Sequence, residues 1–169
     1  MKIVCSYCRK DLGTKPPLDD PTVTHSMCRE CFKAFAAQWS GLEMSEYLDR
    51  FDSPVIVFDG DVRVVGLNRA ACDVLGKTAV ASLGLLGGEV LECQFSRMPE
   101  GCGRTVHCKA CTIRKSIQAT LDTGRPEVRV PAYYDKGEQH MDLLISTRMD
   151  GDVVRVEIHE VKSSETVEQ

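Results

Sequence analysis

The spacing of the first four cysteines constrains this chain more than any other feature. Cys5, Cys8, Cys28 and Cys31 form two Cys-x2-Cys pairs separated by nineteen residues. Zinc binds four ligands tetrahedrally with Zn–S arms of about 2.3 Å, and a Cys-x2-Cys turn brings two thiolates onto one ion, so two such turns complete the shell. The segment around them needs that ion. Up to about residue 35 the chain is polar and turn-rich, with Pro16, Pro17 and Pro21 beside Asp19 and Asp20, and it has too few large apolar side chains to bury a core. Zinc binding and folding of this segment are therefore expected to be one event. A shell filled by protein leaves no position for water, which makes the ion structural. His25 lies close to the second pair, but four thiolates already saturate zinc, and it reads as a polar turn residue.

The remaining cysteines of the nine fall into a second group, Cys93, Cys102, Cys108 and Cys111, with Cys72 alone. The N-terminal MKIVCSYC has no apolar stretch of signal-peptide length, and no run approaches the roughly 20 apolar residues needed to cross a bilayer. A cytoplasmic location is the expectation, where thiols stay reduced and clustered cysteines serve metals or redox chemistry rather than disulfides. Net charge is −4, which disfavours binding to nucleic acid by bulk charge. The length of 169 residues accommodates one ordinary domain and a small module.

The run ECFKAFAAQW from Glu30 is predicted helical and breaks at Ser40-Gly41, so a module boundary is placed near residue 41. Leu42, Tyr47, Leu48 and Phe51 repeat at helical spacing before Asp52-Ser53-Pro54, and predict a lead-in helix. VIVFD and VRVVGLN then read as two strands around the Asp59-Gly60-Asp61 turn, and Asn68 opens a short helix closed by Gly76. From Val106 the spacing of Val106, Ala110, Ile113, Ile117 and Leu121 predicts a helix ended by Gly124 and Pro126. EVRVPAYY, HMDLLIST and VVRVEIHEV predict three further strands, the last alternating Val154, Val156 and Ile158 with Arg155, Glu157 and His159. The fold class expected is α+β, a five-stranded antiparallel sheet with flanking helices. Its parts are a module at 1–41, a sheet domain at 42–162 with a cysteine-rich insert at 93–111, and a frayed tail at 163–169.

Within the insert, Cys108 and Cys111 stand three apart at the start of the expected helix, on neighbouring azimuths, so both thiols are able to face one point. Gly101 and Gly103 let the backbone bend so that Cys102 joins them, with Cys93 arriving from the preceding loop. Three uses of four such thiols are open: an iron–sulfur cluster, a second structural zinc, or thiols that switch to disulfides. His107-Cys108-Lys109-Ala110-Cys111-Thr112 lacks the Cys-x-x-Cys-His of covalent haem attachment. Cys72 reads as a small buried apolar residue, and His140 and His159 as surface residues on strands.

Two resemblances add to these observations. IVCSYCRKDLG…THSMCRECF resembles the small zinc ribbons at the N-termini of some bacterial signalling proteins. PVIVFDGDVRVVGLNRAACDVLG resembles the opening of a PAS domain, and the match extends to about Val161. It is similar to a subgroup of bacterial PAS proteins with a GE…C…GCG…C..C.IR segment, matched at Gly88-Glu89, Cys93, Gly101-Cys102-Gly103, Cys108, Cys111, Ile113 and Arg114. The flavin-adduct motif of light-sensing relatives is absent, since Glu92-Cys93-Gln94-Phe95 lacks its asparagine and arginine. The PAS resemblance implies a sensory module with a ligand or cofactor pocket, which normally is not catalytic. The expectation is a stand-alone sensor or adaptor in signal transduction that is not an enzyme. It would sense redox state, a metal or a small ligand through its cysteine cluster, form a homodimer, and dock a partner such as a histidine kinase through its zinc ribbon. The alternative is a transcriptional regulator whose ribbon contacts DNA under control of the PAS domain.

Overall fold

The structure is a computed structural model that describes residues 1–32 and 42–165. It divides into two compact units, Met1–Gly41 and Leu42–Gln169. In the first, strands β1 (Lys2–Cys5), β2 (Asp11–Thr14) and β3 (Val23–Ser26) form a sheet in the order β2-β1-β3. β1 runs antiparallel to β2 and parallel to β3. Residues 29–32 are helical. The rest of the helix expected from Glu30 lies outside the described residues.

The second unit begins with helix α1 (Leu42–Leu48), followed by β4 (Val55–Phe58), β5 (Val64–Leu67), α2 (Arg69–Leu75), α3 (Ala79–Ser82) and α4 (Gly87–Val90). Two single 3₁₀ turns, Gln94–Arg97 and Val106–Lys109, precede α5 (Thr112–Thr123). Then β6 (Glu127–Lys136), β7 (Gln139–Asp150) and β8 (Val153–Glu165) complete a sheet in the order β5-β4-β8-β7-β6, antiparallel throughout. This is the α+β architecture expected from the residues, a five-stranded antiparallel sheet with flanking helices.

The period of two along the strands sorts the side chains. Ile56 and Phe58 of β4 join Val154, Val156 and Ile158 of β8, Leu143 and Ile145 of β7, and Ile113 and Ile117 of α5 in one core. Val55 and Val57 point to the opposite face, where Leu48 and Phe51 cover them. β4 is thus buried along its whole length, which is why its sequence is continuously apolar.

Asn68 fixes this arrangement at one point. It is 1% exposed, and its Oδ1 accepts from the Val55 and Ala71 N–H groups, each at 2.9 Å. Its Nδ2 donates to the carbonyls of Leu48, Phe51 and Ser53 at 3.4, 3.2 and 2.8 Å. One amide side chain caps α2 and ties the chain entering β4 to the end of α1.

Two boundaries differ from expectation. The last helix begins at Thr112, not at Val106, because Thr105 caps a separate turn through a 3.3 Å bond from Cys108 N to its Oγ1. Cys111, with ψ 110°, breaks the helical path, and Val106 is 72% exposed rather than on the buried stripe. Ser163, Ser164 and Glu165, expected in a frayed tail, instead pair with Met141, His140 and Gln139, and the rest of that tail lies outside the described residues. The length of β7 supplies backbone partners that side-chain patterning does not reveal.

Candidate metal centres

The first four cysteines converge. Their sulfur atoms all lie within 4.8 Å of one another, with Cys5 and Cys28 buried. Cys8 Sγ and Cys28 Sγ are 3.6 Å apart, close to the edge of about 3.8 Å of a tetrahedron with zinc–sulfur arms. Cys5 ends β1 and Cys8 closes the turn after it, with Arg9 at φ 61° completing the reversal. The second pair is built differently from the equivalent turn expected. Phe32 N donates to Cys28 O at 2.8 Å and Cys31 N donates to Cys28 Sγ at 3.4 Å, so Cys28 caps the helical turn on which Cys31 sits. Amide donors that face a sulfur stabilise its thiolate.

Four thiols this close do not ionise independently. Cys5 falls to about 6 because the Cys28 N–H donates to its sulfur, at 3.3 Å, followed by the Cys8 amide. Cys31 is pushed up to about 12 because it shares its proton with Cys28 and then Cys8. A cation at the centre removes this conflict, and the donor set fits zinc. His25 is exposed on β3 and is not a member of the group.

The second quartet has another geometry. Cys93, Cys102, Cys108 and Cys111 are each half-buried and all line one cavity of ≈ 80 Å³ between the cysteine-rich segment, α5 and β6. Leu91, Phe95, Ile113 and Tyr134 supply apolar wall. Among the described residues, the N-terminal four are the group whose ligand atoms all come within 4.8 Å of one another, whereas no three of the second four, which line their cavity, are mutually that close. Burial pushes the Cys102 thiol up to about 11 and raises Cys93, and the neighbouring thiols add to both shifts. Cys108 goes the other way. Burial opposes ionisation there, but Thr105 Oγ1 at 3.2 Å and Gly103 N at 3.1 Å donate to its sulfur and lower it.

The glycines and the glutamate around this quartet have specific tasks. A Cβ on Gly88 would stand 2.7 Å from Cys102 Sγ, so only glycine lets α4 approach that thiol. Glu89 Oε2 accepts from Leu86 N at 2.7 Å and caps the same short helix. Gly103 has φ +85°, and a Cβ there would stand 2.5 Å from Arg114 Nη1. Phe95 and His107 stack at 4.0 Å between centroids and join the two 3₁₀ turns that carry Cys93 and Cys108.

Several residues at this site are not of a metal-ligand type. Thr105 and the Phe95–His107 pair carry no sequence signal of their own. Arg114 does, because it follows Cys111 by three residues on a helix and so shares its face. Glu92, next to Cys93, sits at φ 59° and bridges Lys136 Nζ at 2.7 Å and Lys77 Nζ at 3.1 Å. Cys72 packs against the main core as expected. His140 pairs with Asp135 at 2.7 Å, and His159 bonds Ser146 Oγ at 2.7 Å. Both are partly buried in cross-strand contacts. No described helix is long and apolar enough to cross a membrane.

No family model matches the chain, and no curated protein matches it. Solved structures are similar to it at low identity. A chain of the E. coli DhaR(N)-DhaL complex is 19% identical over 75% of this chain and 38% of its own length, with a TM-score of 0.46. The photoactive yellow protein domain of the sensor histidine kinase Ppr from Rhodospirillum centenum is 12% identical over 72% of this chain and 98% of its own, with a TM-score of 0.49. A domain of the sensory box sensor histidine kinase/response regulator from Geobacter sulfurreducens is 12% identical over 73% of this chain and 96% of its own, with a TM-score of 0.48.

Proposed function

We propose that this protein is a non-enzymatic sensor or adaptor of signal transduction whose second cysteine quartet holds an iron–sulfur cluster responsive to redox state or oxygen. One observation carries the choice of metal. Four thiols ring a single, mostly apolar cavity at a spacing wider than that of the N-terminal quartet. A cluster several atoms across needs its thiolates further apart than one ion does, and four thiolates are the usual donor set of such clusters. The cluster would supply a one-electron couple. The chain's own residues would hold it through Cys93, Cys102, Cys108 and Cys111, bond the Cys108 sulfur from Gly103 N and Thr105 Oγ1, and keep the site dry with Phe95, Leu91 and Ile113.

In the same proposal the N-terminal quartet holds zinc as a scaffold, and the small unit around it docks a protein partner such as a histidine kinase. The sheet unit forms a homodimer through its outer face or α1. The test is metal, labile-sulfide and visible-absorbance analysis of anaerobically purified protein. One zinc per chain together with iron, sulfide and a brown colour is the expected result. Two zinc ions per chain and no colour would sink the iron–sulfur assignment.

A further inference from the structure

We infer that Arg114 is the built-in counter-charge of the second cysteine site and sets the charge state that the site holds. The inference rests on the proposal that these four thiols bind a metal centre as thiolates. Such a centre carries net negative charge, and in a cavity with apolar walls that charge is costly unless a cation stands beside it. Arg114 lines the cavity together with all four cysteines. Arg114 as a residue is half-buried, and among the described residues no carboxylate pairs with it. Asp135, the acidic side chain on the cavity wall, is engaged by His140 at 2.7 Å. A buried-side arginine without an acid is otherwise unfavourable, so the fold keeps this one for an anion that the thiols themselves create.

The backbone is shaped to admit it. Gly103 adopts φ +85°, which other residues reach with strain, and a Cβ there would collide with Nη1 at 2.5 Å. The same Gly103 turns its N–H onto Cys108 Sγ at 3.1 Å. One glycine therefore donates its amide to a thiol and leaves the space that the guanidinium occupies. Arg114 reaches this point because it lies on α5 one turn beyond Cys111, the residue that opens the helix.

A positive charge beside a cluster favours the reduced form, which is more negative by one electron, and so raises the midpoint potential. The test compares the wild-type chain with Arg114→Gln, Arg114→Lys and, as control, Lys115→Gln, which removes an exposed charge from the same helix. Each is purified anaerobically, analysed for iron, sulfide and zinc, titrated with dithionite by visible absorbance, and challenged with a chelator. Arg114→Gln is expected to shift the potential to more negative values and to lose metal from the second site at about tenfold lower chelator concentration. Arg114→Lys and Lys115→Gln stay near wild type. Failure of Arg114→Gln to load metal while Arg114→Lys loads it supports the role equally. Unchanged potential and retention in Arg114→Gln, or a lysine variant as impaired as the glutamine one, overturns it. Zinc without sulfide in the wild-type chain defeats the iron–sulfur assignment separately, and chelator competition for that zinc then decides the role of Arg114 with the same expectations.

Discussion

At the scale of single residues, the polar and small positions explain more than the apolar ones. Asn68 satisfies two N–H groups and three carbonyls from inside the core. Asn68→Ala removes a helix cap and leaves the buried Val55 N–H without a partner. The expected loss is about 2–4 kcal/mol in denaturant unfolding, and an unchanged midpoint would contradict the assignment. Gly88 is a different kind of position. Gly88→Ala places a methyl group 2.7 Å from Cys102 Sγ while it suits a helix better than glycine does. The variant should keep its circular dichroism and its zinc but lose metal from the second site. Retention of full metal content would show that Cys102 is free to move. Asn68 was legible in the sequence as a helix start, and its five bonds were not, because the partners come from residues up to twenty positions away.

At the scale of elements, the segment between α4 and α5 is held by its ends. Glu92 joins Lys136 at the end of β6 to Lys77 after α2, directly beside Cys93. Lys136 and then Lys77 hold the Glu92 carboxyl at about 2, against an ordinary value of 4.5. A carboxylate with a depressed folded value stabilises the fold fully above its unfolded value and loses that contribution as pH falls toward the folded one. The stability difference between wild type and Glu92→Gln should therefore be constant from neutral pH down to about 4.5 and shrink between there and pH 2. Denaturant unfolding of both at several pH values measures it, and a difference that grows on acidification would refute the linkage. The five strands were visible as β-rich runs bounded by turns, the last of them with alternating side chains. The start of α5 was misplaced because Val106 and Ala110 continue the helical period, while the break is set by the Thr105 cap and the extended backbone of Cys111.

At the scale of the whole molecule, the two quartets divide the chemistry. Among its described residues the unit at Met1–Gly41 has small strands and few buried apolar side chains beyond its cysteines, so under the proposed reading its order depends on an ion held by the four thiols. Removal of zinc with a strong chelator should raise amide exchange across 1–32 to unfolded rates and leave the strands of the sheet unit protected. Protection of β1 and β3 after zinc removal would show a fold independent of metal. The sequence by itself determined the two Cys-x2-Cys pairs Cys5, Cys8, Cys28 and Cys31 as one group, the α+β class and the five strands, because local spacing and composition encode these directly. Tertiary structure alone decided that the first four sulfurs meet at one point and the second four surround a cavity. It also decided that Gly88 and Gly103 make room there for a thiol and a guanidinium, since those distances depend on how α4, α5 and β6 pack and on no residue's neighbours in the chain.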